Sequence, residues 1–288
     1  MPGNTFGLKL SQQFITIDVL STVWKMADDG GLDGLWLFDH FATLGADPSG
    51  DVYEAWTSLA AMAQATRRIR IGCLVTGNTY RHPGVLAKMA VTVDHLSGGR
   101  LDMGLGTGAG LEHAMLGVPL GSPAERIDRL AESCQVLKKL WTEPAATFQG
   151  RYYQLTGALA NPKPVQRPYP PLWIGGSGQK RTLRVVAEHA DAWINGNRPG
   201  EDPGELVKLS RVLDQHCKDI GRDPAEVRRA VQVPLPADAN ETVRVVGAYL
   251  AAGFRDVIFM LHGAGDSVVS AAKAATAVLP RLRALDLD

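Results

Sequence analysis

Short apolar runs alternate along the chain with longer segments in which apolar residues recur every three or four positions. The runs are typical of strands buried on both faces, and the periodic segments are typical of amphipathic helices. The runs predict eight strands, at residues 6–10, 35–39, 69–76, 101–106, 172–175, 192–195, 230–235 and 257–261. Eight strands with interleaved helices in 288 residues favour an α/β fold of the (β/α)8 TIM-barrel type over two domains. We expect one domain over residues 1–288.

Several helix ends are marked by their capping residues. Ser122 is followed by a proline and, three residues after the cap, by Glu125, which is the pattern of a capping box. Asp202 and Asp223 begin the same pattern and predict two further helix starts. Gly98 predicts the end of the helix that follows the third strand.

Residues 143–171 interrupt the alternation of strands and helices. The segment is rich in proline and has no helical period, so it predicts an insertion between strands four and five. Within it, residues 148–155 predict a small hairpin that turns at Gln149 and Gly150. A lid over the catalytic face and a plain excursion on the surface both fit this segment.

Charge and cysteine content exclude several classes of protein. Thirty basic residues balance thirty acidic ones, so the net charge does not favour nucleic acid or an anionic membrane as a partner. No apolar run reaches the roughly 18 residues that span a bilayer, and the N-terminal residues lack the pattern of a signal peptide. Three widely spaced cysteines predict a reduced, cytoplasmic protein with structural thiols.

An acid and an imidazole, Asp39 and His40, end the second apolar run. The carboxyl ends of strands face the active site in parallel barrels, so this pair is the first candidate for catalysis. Imidazole titrates near neutral pH and can move a proton in step with a redox event. A structural role is the alternative for a lone histidine. No metal site is expected, because the histidines do not have the spacing of metal ligands.

Two glycine-rich stretches follow the fourth and fifth strands. Residues 104–109 fit the dinucleotide pattern, but three strands precede them and no acidic residue ends a strand about 20 residues later, which weighs against a Rossmann site. Residues 175–178 precede a helical pattern, where backbone N–H groups favour an anion. Lys180 and Arg181 add positive charge there. A plain strand-to-helix turn is the alternative.

Several segments, taken in order, resemble the bacterial luciferase-like monooxygenase superfamily, most closely its branch that uses coenzyme F420, a deazaflavin. They are residues 31–41 (Gly-Leu-Asp-Gly-Leu-Trp-Leu-Phe-Asp-His-Phe), 68–76, 80–83, 94–101, 104–108, 125–126, 148–153, 162–168, 174–178 and 190–193. The resemblance extends from Phe6 to about Asn197 and is only general beyond that. It implies a (β/α)8 barrel and a hydride-transferring oxidoreductase whose coenzyme lies across the carboxyl ends of the strands.

The resemblance also implies roles for individual residues. His40 would transfer a proton beside the coenzyme ring, and Asp39 would orient the imidazole or contact the ring. A bulged strand end behind the ring would carry a cis peptide bond, placed at Leu74–Val75. The expected coenzyme-binding residues are Asp39, Leu74, Val75, Thr76, Gly106, Thr107, Gly108, Gly175, Gly176, Ser177, Gly178 and Arg181. The candidate walls of the substrate pocket are Trp36, Glu54, Trp56, Tyr80 and Trp193.

One position departs from the sugar-phosphate dehydrogenases of this branch. They place a glutamate directly after Gly-Thr-Gly, whereas Ala109 stands here and Glu112 follows three residues later. This argues against sugar-phosphate activity and leaves the small-molecule substrate open. The alternatives are an FMN-dependent monooxygenase of the same superfamily that uses O2, a coenzyme-binding protein without catalysis, and a metal-dependent barrel hydrolase.

The family further implies a homodimer formed through the second and third helices. The expected surface contains Trp56, Leu59, Met62, Leu86 and Met89. The alternative is that these side chains pack on the barrel.

Overall fold

The computed structural model describes residues 3–45, 47–108, 110–196 and 203–285. The strands are β1 (Thr5–Leu10), β2 (Gly34–Leu37), β3 (Arg70–Cys73), β4 (Thr76–Gly77), β5 (Leu101–Gly106), β6 (Ala146–Gln149), β7 (Gln154–Ala158), β8 (Leu172–Gly175), β9 (Ala192–Gly196), β10 (Arg228–Pro234) and β11 (Asp256–Leu261). The helices are α1 (Ile17–Asp29), α2 (Ala55–Ala65), α3 (Pro83–Ser97), α4 (Glu112–Met115), α5 (Pro123–Thr142), α6 (Thr182–His189), α7 (Pro203–Asp219), α8 (Ala239–Ala251) and α9 (Asp266–Arg283).

Eight parallel strand positions close into a barrel. Neighbours pair in the order β3, β2, β1, β11, β10, β9, β8 and β5, and pairing of β3 with β5 completes the ring. The strand β4 continues β3 after a break and pairs with the end of β5, as Thr76 faces Leu105. All eight apolar runs named above lie on barrel strands, so the predicted (β/α)8 architecture is confirmed.

The insertion starts and ends at the amino-terminal face of the barrel, because it connects α5 to the beginning of β8. The predicted hairpin is present as the antiparallel pair β6 and β7, with a turn that extends to Tyr153. The Glu132 carboxylate on α5 accepts the N–H groups of Arg151, Tyr152 and Tyr153 at 2.8–3.0 Å. The hairpin therefore lies against the outer helices, and the lid interpretation was wrong.

Two of the capping predictions are confirmed. The Ser122 hydroxyl accepts the N–H of Glu125 at the start of α5, and Gly98 ends α3 with a φ of 66°. Asp223 starts only a short 3-10 turn, Pro224–Glu226, because the chain enters β10 at Arg228. The third predicted cap, Asp202, lies outside the described residues.

Trp36 fills the middle of the barrel. A Cβ atom built at Gly7, Gly34 or Gly72 would collide with its indole ring, so glycine at these three strand positions makes room for it. Trp36 is only 2% exposed and lies beside a cavity of about 470 Å³ at the amino-terminal ends of the strands, where Asp102 and Arg70 also line the wall. Its expected place in the substrate pocket was therefore wrong.

Gly104 marks the closest approach of two barrel strands, since a Cβ atom there would collide with the carbonyl oxygen of Cys73. We expect Gly104→Ala to lower the free energy of unfolding by about 1–3 kcal/mol, measured by urea denaturation. Gly247→Ala is the matched control, because a Cβ atom at that position of α8 meets no atom within 4 Å. The control should raise stability by about 0.5–1 kcal/mol. Equal stability of the two variants would contradict the close approach of β3 and β5.

Candidate active site at the carboxyl ends of the strands

The carboxyl ends of the barrel strands surround a pocket of about 310 Å³. Ten of the residues selected from the sequence line it: Asp39, His40, Leu74, Val75, Tyr80, Gly106, Thr107, Gly108, Gly175 and Gly176. They come from segments far apart in sequence, and the barrel brings them together because parallel strands end at one face. The pocket thus brings together Asp39 and His40, which follow β2, and residues of both glycine stretches.

Asp39 is held by a buried arginine. The Arg81 guanidinium donates to both carboxylate oxygens of Asp39, at 2.6 and 3.0 Å, and the backbone N–H of Gly77 adds a third bond at 3.0 Å. Burial alone would lower the pKa of Arg81, but the Asp39 carboxylate outweighs it and the pKa is raised. Arg81 is therefore charged, and Asp39 is fixed in place as its partner.

Glu54 supports this ion pair from outside the pocket. Its carboxylate accepts from Arg81 at 2.7 Å and also caps α2 through the N–H groups of Trp56 and Thr57. Burial alone would raise the pKa of Glu54, but these hydrogen bonds and Arg81 lower it. Glu54 is not among the residues that line the pocket, so its expected role as a wall residue is corrected to that of a partner of Arg81.

His40 forms a pair with Glu112. Nδ1 of the imidazole lies 2.6 Å from Oε1 of Glu112, and the Tyr80 hydroxyl donates to the same oxygen at 2.7 Å. Burial alone would raise the pKa of Glu112, but the bonds from Tyr80 and His40 outweigh it and the pKa is lowered. An ionised Glu112 accepts a hydrogen bond from the N–H at Nδ1 of His40, which leaves Nε2 as the nitrogen that can exchange a proton with a substrate.

Aromatic contacts hold the Tyr80 ring beside this pair. The ring stacks on His113, with centroids 4.3 Å apart and an interplanar angle of 17°. The Thr79 hydroxyl lies 2.6 Å from Nε2 of His113, and a Cβ atom at Gly108 would collide with that hydroxyl. Burial and the neighbouring Glu112 carboxylate raise the pKa of Tyr80, so the phenol stays protonated and remains a donor.

A bulged strand end forms the opposite wall. The peptide bond Leu74–Val75 is cis, at the place expected from the resemblance. A Cβ atom at Gly106 would lie 2.5 Å from the Val75 side chain, and one at Gly175 would lie 3.1 Å from it. The two glycine stretches therefore meet at Val75 and leave a wall that has few side chains. Thr76 is buried beside it and does not line the pocket.

The remaining residues selected from the sequence lie farther out. Ser177 and Gly178 are exposed beyond the pocket, and Arg181 forms an ion pair with Asp128. Trp56 and Trp193 are 3% and 0% exposed in the packing between barrel and helices, so their placement in the substrate pocket was wrong. The Trp193 indole instead donates to the carbonyl of Gly176 at 2.8 Å and supports that turn.

Sequence reasoning missed three polar residues of the pocket, Asn195 near the end of β9 and Lys9 and Gln232 on the floor. Lys9 and Gln232 are each flanked on both sides by apolar residues within a strand, on β1 and β10. This was a usable signal, because a polar side chain in such a strand faces the lumen near its open end. Burial lowers the pKa of Lys9 to about 8.

The described residues contain no group of three or more His, Cys, Asp or Glu side chains that could hold a metal ion. Among the same residues, no helix is long and apolar enough to cross a membrane.

Comparison with known proteins places the chain in a family. The sequence profile described as luciferase-like monooxygenase matches residues 4–278. The chain belongs to the luciferase-like monooxygenase family. It is 32% identical over 233 residues to an F420-dependent glucose-6-phosphate dehydrogenase of Microbacterium testaceum (strain StLB037), with 80% of this chain and 67% of that protein aligned.

Two solved structures share the fold. An F420-dependent secondary alcohol dehydrogenase in complex with an F420-acetone adduct has a TM-score of 0.85 at 19% identity, covering 98% of this chain and 100% of that one. The coenzyme F420-dependent tetrahydromethanopterin reductase of Methanopyrus kandleri has a TM-score of 0.84 at 17% identity, with the same coverage. The family and fold that the sequence predicted are confirmed.

Proposed function

We propose that this luciferase-like protein is an oxidoreductase that transfers a hydride between coenzyme F420 and a small organic substrate. The observation that carries the proposal is the His40–Glu112 pair, whose imidazole lines the same pocket as the Leu74 and Val75 wall. The named F420-dependent relative, 32% identical, supports the choice of coenzyme.

The residues present fit a planar ring with a long anionic tail. Gly106, Gly175 and Gly176 present backbone to the pocket, and a Cβ atom at Gly196 would meet no atom of the described residues within 4 Å. We assign ring contacts to Asp39, Leu74 and Val75. The linker would lie along the Gly106–Thr107–Gly108 segment, and its phosphate would lie at the rim near Ser177, Gly178 and Arg181. When bound, F420 supplies the carbon that accepts or donates the hydride.

The protein's own part is to hold the substrate and manage one proton. In the oxidising direction, Nε2 of His40 would take the proton of the substrate hydroxyl, while the carbon that bears it would give up the hydride to the bound coenzyme and become a carbonyl carbon. Glu112 keeps the proton on Nδ1 and stabilises the positive charge that the ring then carries. Asp39 is neutralised by Arg81, so its role is to fix the strand end and the neighbouring imidazole.

The paired imidazole favours this reading over a coenzyme carrier without catalysis. Coenzyme binding alone would not require the contact between His40 and the buried Glu112 carboxylate 2.6 Å away, which holds the imidazole in one tautomer. The FMN-dependent monooxygenase remains the rival within the family, and it differs by needing O2.

The substrate class is open between sugar phosphates and simpler alcohols. Ala109, where the sugar-phosphate dehydrogenases have glutamate, lies outside the described residues. Glu112 brings a carboxylate to His40 from a position three residues farther along.

The test is an anaerobic assay with F420 and a panel of secondary alcohols, aldehydes and aldose phosphates. Loss of the visible absorption of F420 with one class of compound is the expected result. Absence of F420 reduction across the panel, together with O2-dependent oxidation of a substrate with reduced FMN, would overturn the proposal.

The proposal includes a single domain over residues 1–288 with its insertion at 143–171, a cytoplasmic location and a homodimer. All three cysteines are free and buried, which supports a reducing compartment.

The expected dimer surface needs correction, because Trp56, Leu59, Met62 and Leu86 are each at most 3% exposed within one chain and Met89 is partly buried. The outward side chains Val85 and Leu96 of α3 are 57% and 39% exposed and support a contact by that helix. Sedimentation equilibrium tests the dimer.

A further inference from the structure

Lys9 lies at the floor of the active-site pocket. Its neighbours on β1, Leu8 and Leu10, are fully buried beneath the helices. Side chains alternate along a strand, so Gly7 and Lys9 face the lumen. The indole of Trp36 fills the space at Gly7, and Lys9 lines the pocket above it.

The ammonium group of Lys9 has no hydrogen bond or ion pair with any described residue of the chain. The two carboxylates nearest the chemistry are engaged, because Arg81 binds both oxygens of Asp39 while Glu112 accepts from Tyr80 and contacts His40. Burial lowers the pKa of Lys9 to about 8, so the side chain is mostly charged at neutral pH. Lys9 is half-buried and lines the pocket, so an anionic group of a ligand there would be favourably placed beside its charge.

Gln232 adds an acceptor to the same floor. It lines the pocket from β10, and its Oε1 atom is buried with no hydrogen-bond partner among the described residues. Lys9 therefore offers a hydrogen-bond donor, and Gln232 an acceptor, to a ligand in the pocket. Together they are complementary to a ring edge that presents a carbonyl oxygen beside an N–H group.

The chemistry of the floor decides which end of the coenzyme ring it fits. The tail of F420 is attached to the central ring, so it selects neither end. Of the two outer rings, the pyrimidinedione carries carbonyl oxygens beside an N–H group, whereas the other carries a phenolic oxygen. A donor and an acceptor together therefore favour the pyrimidinedione edge as the one that Lys9 and Gln232 would bind.

We propose that Lys9 and Gln232 bind the pyrimidinedione edge of F420, and that Lys9 binds the reduced coenzyme more tightly than the oxidised one. The inference rests on the proposed function. Arrival of a hydride brings two electrons and one proton to the ring carbon, and the negative charge is delocalised onto the nitrogen and carbonyl of this edge. The Lys9 ammonium is the counter-charge. Lys9 is thus a positioning residue that favours the reduced state of the coenzyme.

The experiment measures the dissociation constants of oxidised and chemically reduced F420 anaerobically, by equilibrium titration. We expect Lys9→Met to weaken binding of the reduced form by about ten- to hundredfold more than binding of the oxidised form. Lys9→Arg should keep the ratio within about threefold of the wild type, because it keeps the charge. Each tenfold loss of ratio corresponds to a shift of about 30 mV in the potential of the bound coenzyme, which is a second readout.

Lys180→Met is the matched control. Lys180 is exposed near the rim and does not line the pocket, so its loss should change both affinities equally and leave the ratio intact. Gln232→Leu should weaken both forms of the coenzyme, since the acceptor serves both. Circular dichroism verifies that each variant is folded.

The outcomes distinguish a failure of the proposed function from a failure of the role of Lys9. If the wild type binds neither form of F420, the proposed function fails and the role of Lys9 fails with it. If the wild type binds both forms but Lys9→Met leaves the ratio unchanged, only the role of Lys9 is overturned. A lost affinity for anionic substrates with unchanged coenzyme affinities would also overturn it and would assign the lysine to the substrate.

Discussion

Replacement of His40 by alanine is expected to lower kcat by about 10²–10⁴-fold, while the affinity for the coenzyme stays within a few-fold of the wild type. The reason is that Nε2 accepts the substrate proton in the proposed function, and Nδ1 lies 2.6 Å from Glu112. The measurement is steady-state turnover with the substrate that the anaerobic panel identifies, combined with a coenzyme titration.

Two variants make this result specific. His95→Ala removes an exposed imidazole of α3 that forms a hydrogen bond with the carbonyl of Lys163, far from the pocket lining, and it should leave kcat unchanged. Glu112→Gln keeps the size of the side chain but removes its charge, and we expect a smaller loss of about ten- to hundredfold. Full turnover by His40→Ala with coenzyme bound would contradict the role of the pair.

Arg81→Met is expected to lower the free energy of unfolding by about 3–5 kcal/mol, because it leaves the Asp39 carboxylate unpaired. The side chains of Arg81 and Asp39 are 12% and 1% exposed, so water cannot replace the lost partner. Chemical denaturation measures the change. Activity should fall as well, since Asp39 directly precedes His40 in the chain.

An exposed ion pair offers the matched control. Arg184 and Glu188 lie on the surface of α6, with side chains 59% and 33% exposed, and Arg184→Met should change stability by no more than about 0.5 kcal/mol. Adding Asp39→Asn to Arg81→Met should recover part of the lost stability, because the buried charge is then gone. A loss as small as that of the surface variant would show that the pair is not buried as described.

The barrel could be predicted because each strand is marked by an apolar run and several helices by their caps. The order of the strands around the barrel follows their order along the chain, because each strand and the helix after it form one βα unit. β5, which matches the apolar run at residues 101–106, is an example. The register of side chains was not predictable in the same way. A strand such as β2 is apolar at all four positions, so nothing distinguishes the lumen side from the helix side. Trp36 does face the lumen, but its indole lies toward the amino-terminal ends of the strands, so it was assigned to the wrong end of the barrel.

The tryptophans and the insertion show two further limits. Trp56 and Trp193 face the layer between strands and helices, and their sequence pattern fits either that layer or the pocket. The insertion was readable from topology alone, because a helix-to-strand connection starts and ends at the amino-terminal face. The Asp223 cap failed for a local reason, since β10 begins at Arg228 and leaves no room for a helix.

The sequence indicated where the site lies, but not which polar side chains pair with each other there. Asp39 and His40 were readable because an apolar run ends in them. Their partners are Arg81, which precedes α3, and Glu112, which begins α4, and only the folded barrel brings them near. Lys9 and Gln232 carried a signal of their own, as polar residues within apolar strands.

The most direct test of the account is a pair of fluorescence-quenching titrations of the purified protein, with F420 and with FMN. The account predicts F420 binding with a Kd of about 1 µM or tighter, and FMN binding weaker by at least about tenfold. Tight binding of FMN with weak binding of F420 would contradict the account and move the protein to the oxygen-dependent enzymes of its family.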